Sequence, residues 1–139
     1  MTTQMSNKVG WILDELLRTP HTLRALLLSA DGLRAAWSEG FDLDLADRMA
    51  AAVSGLQSVS SQTAPFADCT EGPSNLALLQ WPAGGYLFVM AAGNGSHLAV
   101  GADGDADVEK VSYSMEATID RLGKELGIAP RATAADAVS

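Results

Sequence analysis

Residues 22–38, TLRALLLSADGLRAAWS, decide the fold. Two apolar runs, residues 23–28 and 33–37, flank Asp31-Gly32, and Asp-Gly between such runs signals a β-hairpin because both residues tolerate positive φ. The first strand passes through Ala25, Leu26, Leu27 and Leu28 without a polar break, so both of its faces are expected to be buried. It therefore belongs inside a sheet that is covered on both sides. The second strand alternates, with Arg34, Ala36 and Ser38 on one face and Leu33, Ala35 and Trp37 on the other, the pattern of a half-buried outer strand.

Upstream of the hairpin, Val9, Ile12, Leu13, Leu16 and Leu17 recur at helical spacing, which predicts a helix from about Met5 that Pro20 stops. Trp11 lies opposite that stripe, either folded against a loop or tail or free for a partner. Downstream, Asp42 is an N-cap candidate, and carboxylates in the following turn suit the positive end of a second helix. Its inner stripe reads Leu45, Met49, Ala52, Val53, Leu56 and Val59. The opposite face carries Asp47, Ala50, Ala51, Ser54, Ser58 and Ser61, with one charge among them. Small side chains let another backbone approach, so this face either receives a second helix or is an alanine-rich surface left to solvent.

Residues 65–74 read as a loop, and three strands follow at residues 75–81, 86–92 and 96–101, separated by Pro82-Ala83-Gly84-Gly85 and Gly93-Asn94-Gly95. The first of these, which includes Leu76, Leu78 and Gln80, has no charge, proline or bulge signal. Those are the devices that keep an exposed edge from pairing, so at an edge this strand invites a two-fold dimer. Val108, Val111, Met115, Ile119, Leu122 and Leu126 then mark a third helix, with Gly127 as its C-cap. The order predicts an α+β domain with α/β/α layers. It is a five-stranded, mostly antiparallel sheet with helices on both faces, edged by residues 33–38 and 75–81. One domain is expected over residues 5–127, followed by a polar, mobile tail at 128–139.

The 139 residues are 47% hydrophobic and 19% charged, with a net charge of −8. That balance is globular, disfavours nucleic acid and anionic membrane surfaces as partners, and supplies no span of the ~20 apolar residues a membrane helix needs. A lone cysteine, Cys69, excludes an internal disulfide, and a start without an apolar signal segment points to the cytoplasm. No cofactor and no metal are expected. Asp103, Asp105 and Asp107 begin like a calcium loop, but Val108 stands where that loop turns on glycine and Ser114 where it needs a bidentate Glu. A capped helix start explains them better. Gly93-Asn94-Gly95 lacks the third glycine of a dinucleotide fingerprint, and Gly123-Lys124 sits within a helix. His21, His97 and Cys69 show no ligand spacing and no local catalytic partner.

The segments LLLSADGLRAAW, LADRMAAA and GGYLFVMAAGNGSHLAVGAD, taken in that order and spacing, resemble the Roadblock/dynein light chain domain family over nearly the whole chain. The resemblance implies a fold related in shape to profilin and longin domains, with no catalytic residue to carry over. It implies pairing with a second copy or a related Roadblock subunit through the second helix and the following strand, here residues 45–61 and 75–81. It further implies regulation of a small Ras-like GTPase, beside a sensor-kinase-like protein, without chemistry of the module's own. Arg48 reads as a solvated surface arginine rather than an arginine finger. The other class open to such a sheet-and-helix domain is a small-molecule sensor.

Overall fold

The computed structural model describes residues 7–127. Its elements are α1 (Gly10–Leu16), β1 (Thr22–Leu28), β2 (Arg34–Trp37), α2 (Leu43–Ser61), a 3-10 turn (Ala64–Ala67), β3 (Leu76–Gln80), β4 (Tyr86–Gly93), β5 (Ser96–Ala102) and α3 (Val108–Leu126). The predicted order is the observed one. The expected helix start at Met5 and the tail at 128–139 lie outside the described residues. All four pairings are antiparallel, in the order β2-β1-β5-β4-β3, so β2 and β3 form the edges.

The hairpin forms around Asp31-Gly32, but only Gly32 is left-handed, with φ of 79°. Ser29 N–H donates to the Leu33 carbonyl at 2.8 Å and Gly32 N–H to the Ser29 carbonyl at 2.9 Å, which makes a three-residue loop closed by a glycine bulge. The two-residue turn that uses positive φ twice occurs at Asn94-Gly95 instead, with φ of 54° and 79°. A register break between Leu27 and Leu28 also changes β2. Leu26 pairs with Trp37, Leu27 with Ala36, and Leu28 with Arg34, so Arg34 joins Trp37 on one face rather than Ala36. Its guanidinium stacks 4.6 Å above the Trp37 ring and its Nε donates to Asp47 Oδ1 at 2.6 Å.

Two cores sandwich the sheet. On one face α1 and α3 bury Ile12, Leu13, Leu16, Met115 and Leu122 against Leu27, Phe88, Leu98 and Val100. On the other α2 lies over Leu26, Leu28 and Trp37. Each large side chain fully buried there contributes about 1.5–3 kcal/mol. The Asp42 carboxylate caps α2 by accepting from Leu45 N–H at 3.2 Å, and Asp107 caps α3 by accepting from Glu109 and Lys110 N–H at 3.0 and 3.2 Å. The acidic run therefore does the capping expected of it.

Helix α2 is rotated from the predicted stripe. Its buried residues are Ala46, Ala50, Val53 and Gln57. Ala50 is wholly buried, and its expected place on the outer face is corrected. Ala52 and Val59, expected inside, are exposed. The physical reason is distance: the smallest residues sit where the helix comes closest to the sheet, and the larger Leu45, Met49 and Leu56 flank that line. At 3.6 residues per turn, Asp47, Ser54, Ser58 and Ser61 lie on one flank and Leu45, Met49, Ala52, Leu56 and Val59 on the other.

Candidate partner interface

The two sheet edges are treated differently by the chain. At β2, Trp37 N–H donates to Asn7 Oδ1 at 2.9 Å, and just beyond it Glu39 N–H donates to Asp14 Oδ1 at 2.7 Å. Side chains thus occupy backbone donors that a neighbouring strand would otherwise find. Among the described residues no side chain does the same for β3. Ala91 N–H donates to the Asn75 carbonyl and Trp81 N–H to the Gly85 carbonyl, both at 3.0 Å, at the two ends of the β3–β4 ladder. Bonded pairs alternate along an antiparallel ladder, so Asn75, Ala77, Leu79 and Trp81 aim their backbone groups at β4. Leu76, Leu78 and Gln80 aim theirs outward.

The side chains of β3 follow the same alternation. Leu76, Leu78 and Gln80 pair with Met90, Phe88 and Tyr86, on the α1/α3 face, and Ala77 and Leu79 pair with Val89 and Leu87, on the α2 face. Both sets are poorly covered: Leu76, Leu78 and Leu79 remain 46%, 42% and 39% exposed. Gln80 Nε2 donates to Tyr86 Oη at 3.2 Å.

The structure does not gather the residues singled out in the sequence onto one surface. Asp47 is turned toward β2 and held by Arg34. Ser54 is turned toward the β1–β2 hairpin, where a methyl group at Gly32 would stand 3.0 Å from its Oγ. Ala51 and Ser58 are exposed, beside Arg48 and Gly55 on the crest of α2, and Ser61 is half-buried. Sequence reasoning missed the opposite flank. Leu45 and Met49, with Phe41, Trp81, Tyr86 and Leu87, line an apolar groove of about 210 Å³ between α2 and the β4 side of the sheet, with Arg24 at its rim. The sequence shows this flank as part of the inner stripe of α2, and Met49 does pack on the core there while also lining the groove.

Elsewhere, Trp11 packs beside α3, and the tail that could cover it lies outside the described residues. Trp11 is half exposed, with the Arg121 guanidinium 5.6 Å from its ring, and Arg121 also pairs with Glu15. Cys69 is exposed, its thiol directed at the Ala67 carbonyl. His21, Asp103 and Asp105 place their donor atoms within 4.8 Å of one another, a proximity that chain spacing did not reveal. His21 pairs there with Asp103, whose pKa is lowered first by the Asp105 N–H it accepts and then by His21. His97 is buried in β5, and its Nε2 has no hydrogen-bond partner among the described residues.

Burial lowers the His97 pKa below its ordinary value. The unfolded chain therefore takes up a proton near pH 6.5 that the folded chain refuses. Stability contributed by neutral His97 is complete above that pH and falls as the pH drops toward the folded value, by at most about 1.4 kcal/mol per pH unit. Urea midpoints between pH 7.5 and 5 should decline for the wild type and decline less for His97→Gln. Parallel curves would remove His97 from the account.

A family model for the Roadblock/LC7 domain matches residues 8–102. The chain belongs to the Roadblock/LC7 family. A solved Roadblock/LC7 domain from Streptomyces avermitilis is 36% identical, with a TM-score of 0.76 over 85% of this chain and 97% of that one. MglB from Myxococcus xanthus superimposes with a TM-score of 0.73 over 86% of this chain and 95% of its own at 16% identity. A structure described as MglB with tetrameric arrangement has a TM-score of 0.73, 21% identity and coverage of 86% and 88%. At such identities the MglB likenesses show the Roadblock fold alone. No curated protein matches the chain. Among the described residues no helix is long and apolar enough to cross a membrane.

Proposed function

We propose that this Roadblock/LC7 chain is a non-enzymatic dimeric regulator of a small Ras-like GTPase. The observation that carries the reading is the contrast between the guarded β2 edge and the open β3 edge. Antiparallel pairing of β3 with a second copy about a two-fold axis at Leu78 satisfies the outward groups of Leu76, Leu78 and Gln80 in both chains. The same operation brings a partner toward the apolar flank of α2 and the half of the sheet that α2 leaves bare. A related Roadblock subunit with a similar edge fits equally, and a sensor-kinase-like protein is a further candidate member of the assembly.

The crest of α2, with Arg48, Ala51, Gly55 and Ser58, stays outside that contact and forms the surface assigned to the GTPase. Support for a GTPase partner comes from family membership and from the resemblance to bacterial Roadblock regulators. Fold alone leaves the partner to experiment. Adding the chain to a small Ras-like GTPase from the same source should change the rate of GTP hydrolysis if the chain is an activator. Binding at an unchanged rate identifies a scaffold, and no binding in either nucleotide state refutes the reading. The small-molecule alternative is the weaker one: the apolar groove beside α2 holds about 210 Å³, below the ~300–1,000 Å³ usual for ligand pockets, and the larger cleft of about 400 Å³ between α1 and α3 is walled mostly by charged and polar side chains such as Glu15, Asp120, Arg121 and Lys124.

A further inference from the structure

The chain between α2 and β3 joins the two halves of the proposed interface, yet little apolar burial holds it. Its 3-10 turn, Ala64–Ala67, buries no residue, and Phe66 is 99% exposed. What ties it down is polar. Ser74 Oγ donates to Gln57 Oε1 at 3.1 Å, and Ser60 Oγ lies 3.4 Å from both Gln57 Oε1 and Ser74 Oγ. The residue after Ser74 is Asn75, whose carbonyl accepts from Ala91 N–H in the first bond of the β3–β4 ladder.

Gln57 is an odd choice for stability alone. It is 5% exposed, in line with Ala46, Ala50 and Val53 against the sheet, and its Nε2 has no hydrogen-bond partner among the described residues. A buried donor left unpaired is unfavourable, and an apolar side chain of the same length would avoid that cost. We propose that Gln57 is a positioning residue for the interface: by holding Ser74 it fixes the entry of β3 relative to α2, so that strand edge and helix flank meet a partner as one rigid surface. The inference rests on the dimer reading above.

Gln57→Met keeps the length and the burial but removes the tie. Its thermal midpoint should equal or exceed that of the wild type, while the dimer dissociation constant weakens by about tenfold, the usual scale for one lost ordering hydrogen bond. Ser74→Ala should weaken dimerisation in the same way, and Ser74→Thr, which keeps the hydroxyl, should restore it. In dilute monomer, exchange of the Ala91 amide should quicken in Gln57→Met, because its acceptor on Asn75 is no longer anchored. Wild-type affinity and wild-type Ala91 protection in Gln57→Met overturn the proposal even if the protein is dimeric. A thermal midpoint that falls in step with affinity reduces Gln57 to a structural residue and also overturns it. A wild-type chain that stays monomeric, with Ala91 protection lost in the variant, removes the dimer reading but leaves the anchoring of β3 standing.

Discussion

Leu78→Pro is expected to leave a folded monomer. Leu78 is a non-bonded position of the β3–β4 ladder, so its N–H points away from β4 and the substitution removes nothing that β4 uses. Proline is tolerated on an edge strand in that orientation, and the extended conformation it imposes on Ala77 is the one a strand already has. In a dimer centred on Leu78 the loss is doubled, since each copy forfeits a donor and presents a ring to the other. Two hydrogen bonds at about 1 kcal/mol each, with the steric cost, come to about 3 kcal/mol, or a roughly 100-fold weaker dissociation constant. Sedimentation equilibrium should show the change, and circular dichroism should show an unchanged fold. A dimer of undiminished affinity would exclude β3 as the seam.

The second large effect contrasts neighbours in α2. Ala50→Arg should unfold the chain or cost at least about 4 kcal/mol, because it forces a long charged side chain into contact with the sheet at a position with no exposure. Ala51→Arg, one residue on and exposed, should leave the thermal midpoint within about 1–2 °C while weakening contact with the proposed GTPase partner. Denaturation of both variants reads the rotation of the helix directly. If Ala51→Arg unfolds and Ala50→Arg does not, the buried line of α2 has been misplaced.

The framework was legible in the sequence because its signals are local. The unbroken run at Ala25–Leu28, the glycine turns, the cap at Asp42 and the spacing of α3 each fix an element with little help from the rest. Helix α2 was harder for a physical reason. A helix that covers its own sheet with one side and leaves apolar flank beside bare sheet has no single stripe, and alanine is at home in either environment. By size alone Leu45 and Met49 mark the inner face, although the fully buried positions are Ala46 and Ala50. The register break at Leu27/Leu28, which turns Arg34 toward α2, leaves no mark in composition. Nor does the bond between Gln57 and Ser74, which only the folded chain brings together.

Asn7 and Asp14 also set a limit on growth. A sheet with two receptive borders can add copies without end and become a fibre, because each newcomer exposes the border that its predecessor used. Here one border is already plugged by the chain's own side chains, so once two copies have joined along the other, each end of the enlarged sheet is a plugged one. In the proposed pairing through β3, assembly along the strands then stops at two copies, and a larger oligomer would have to be built through helices.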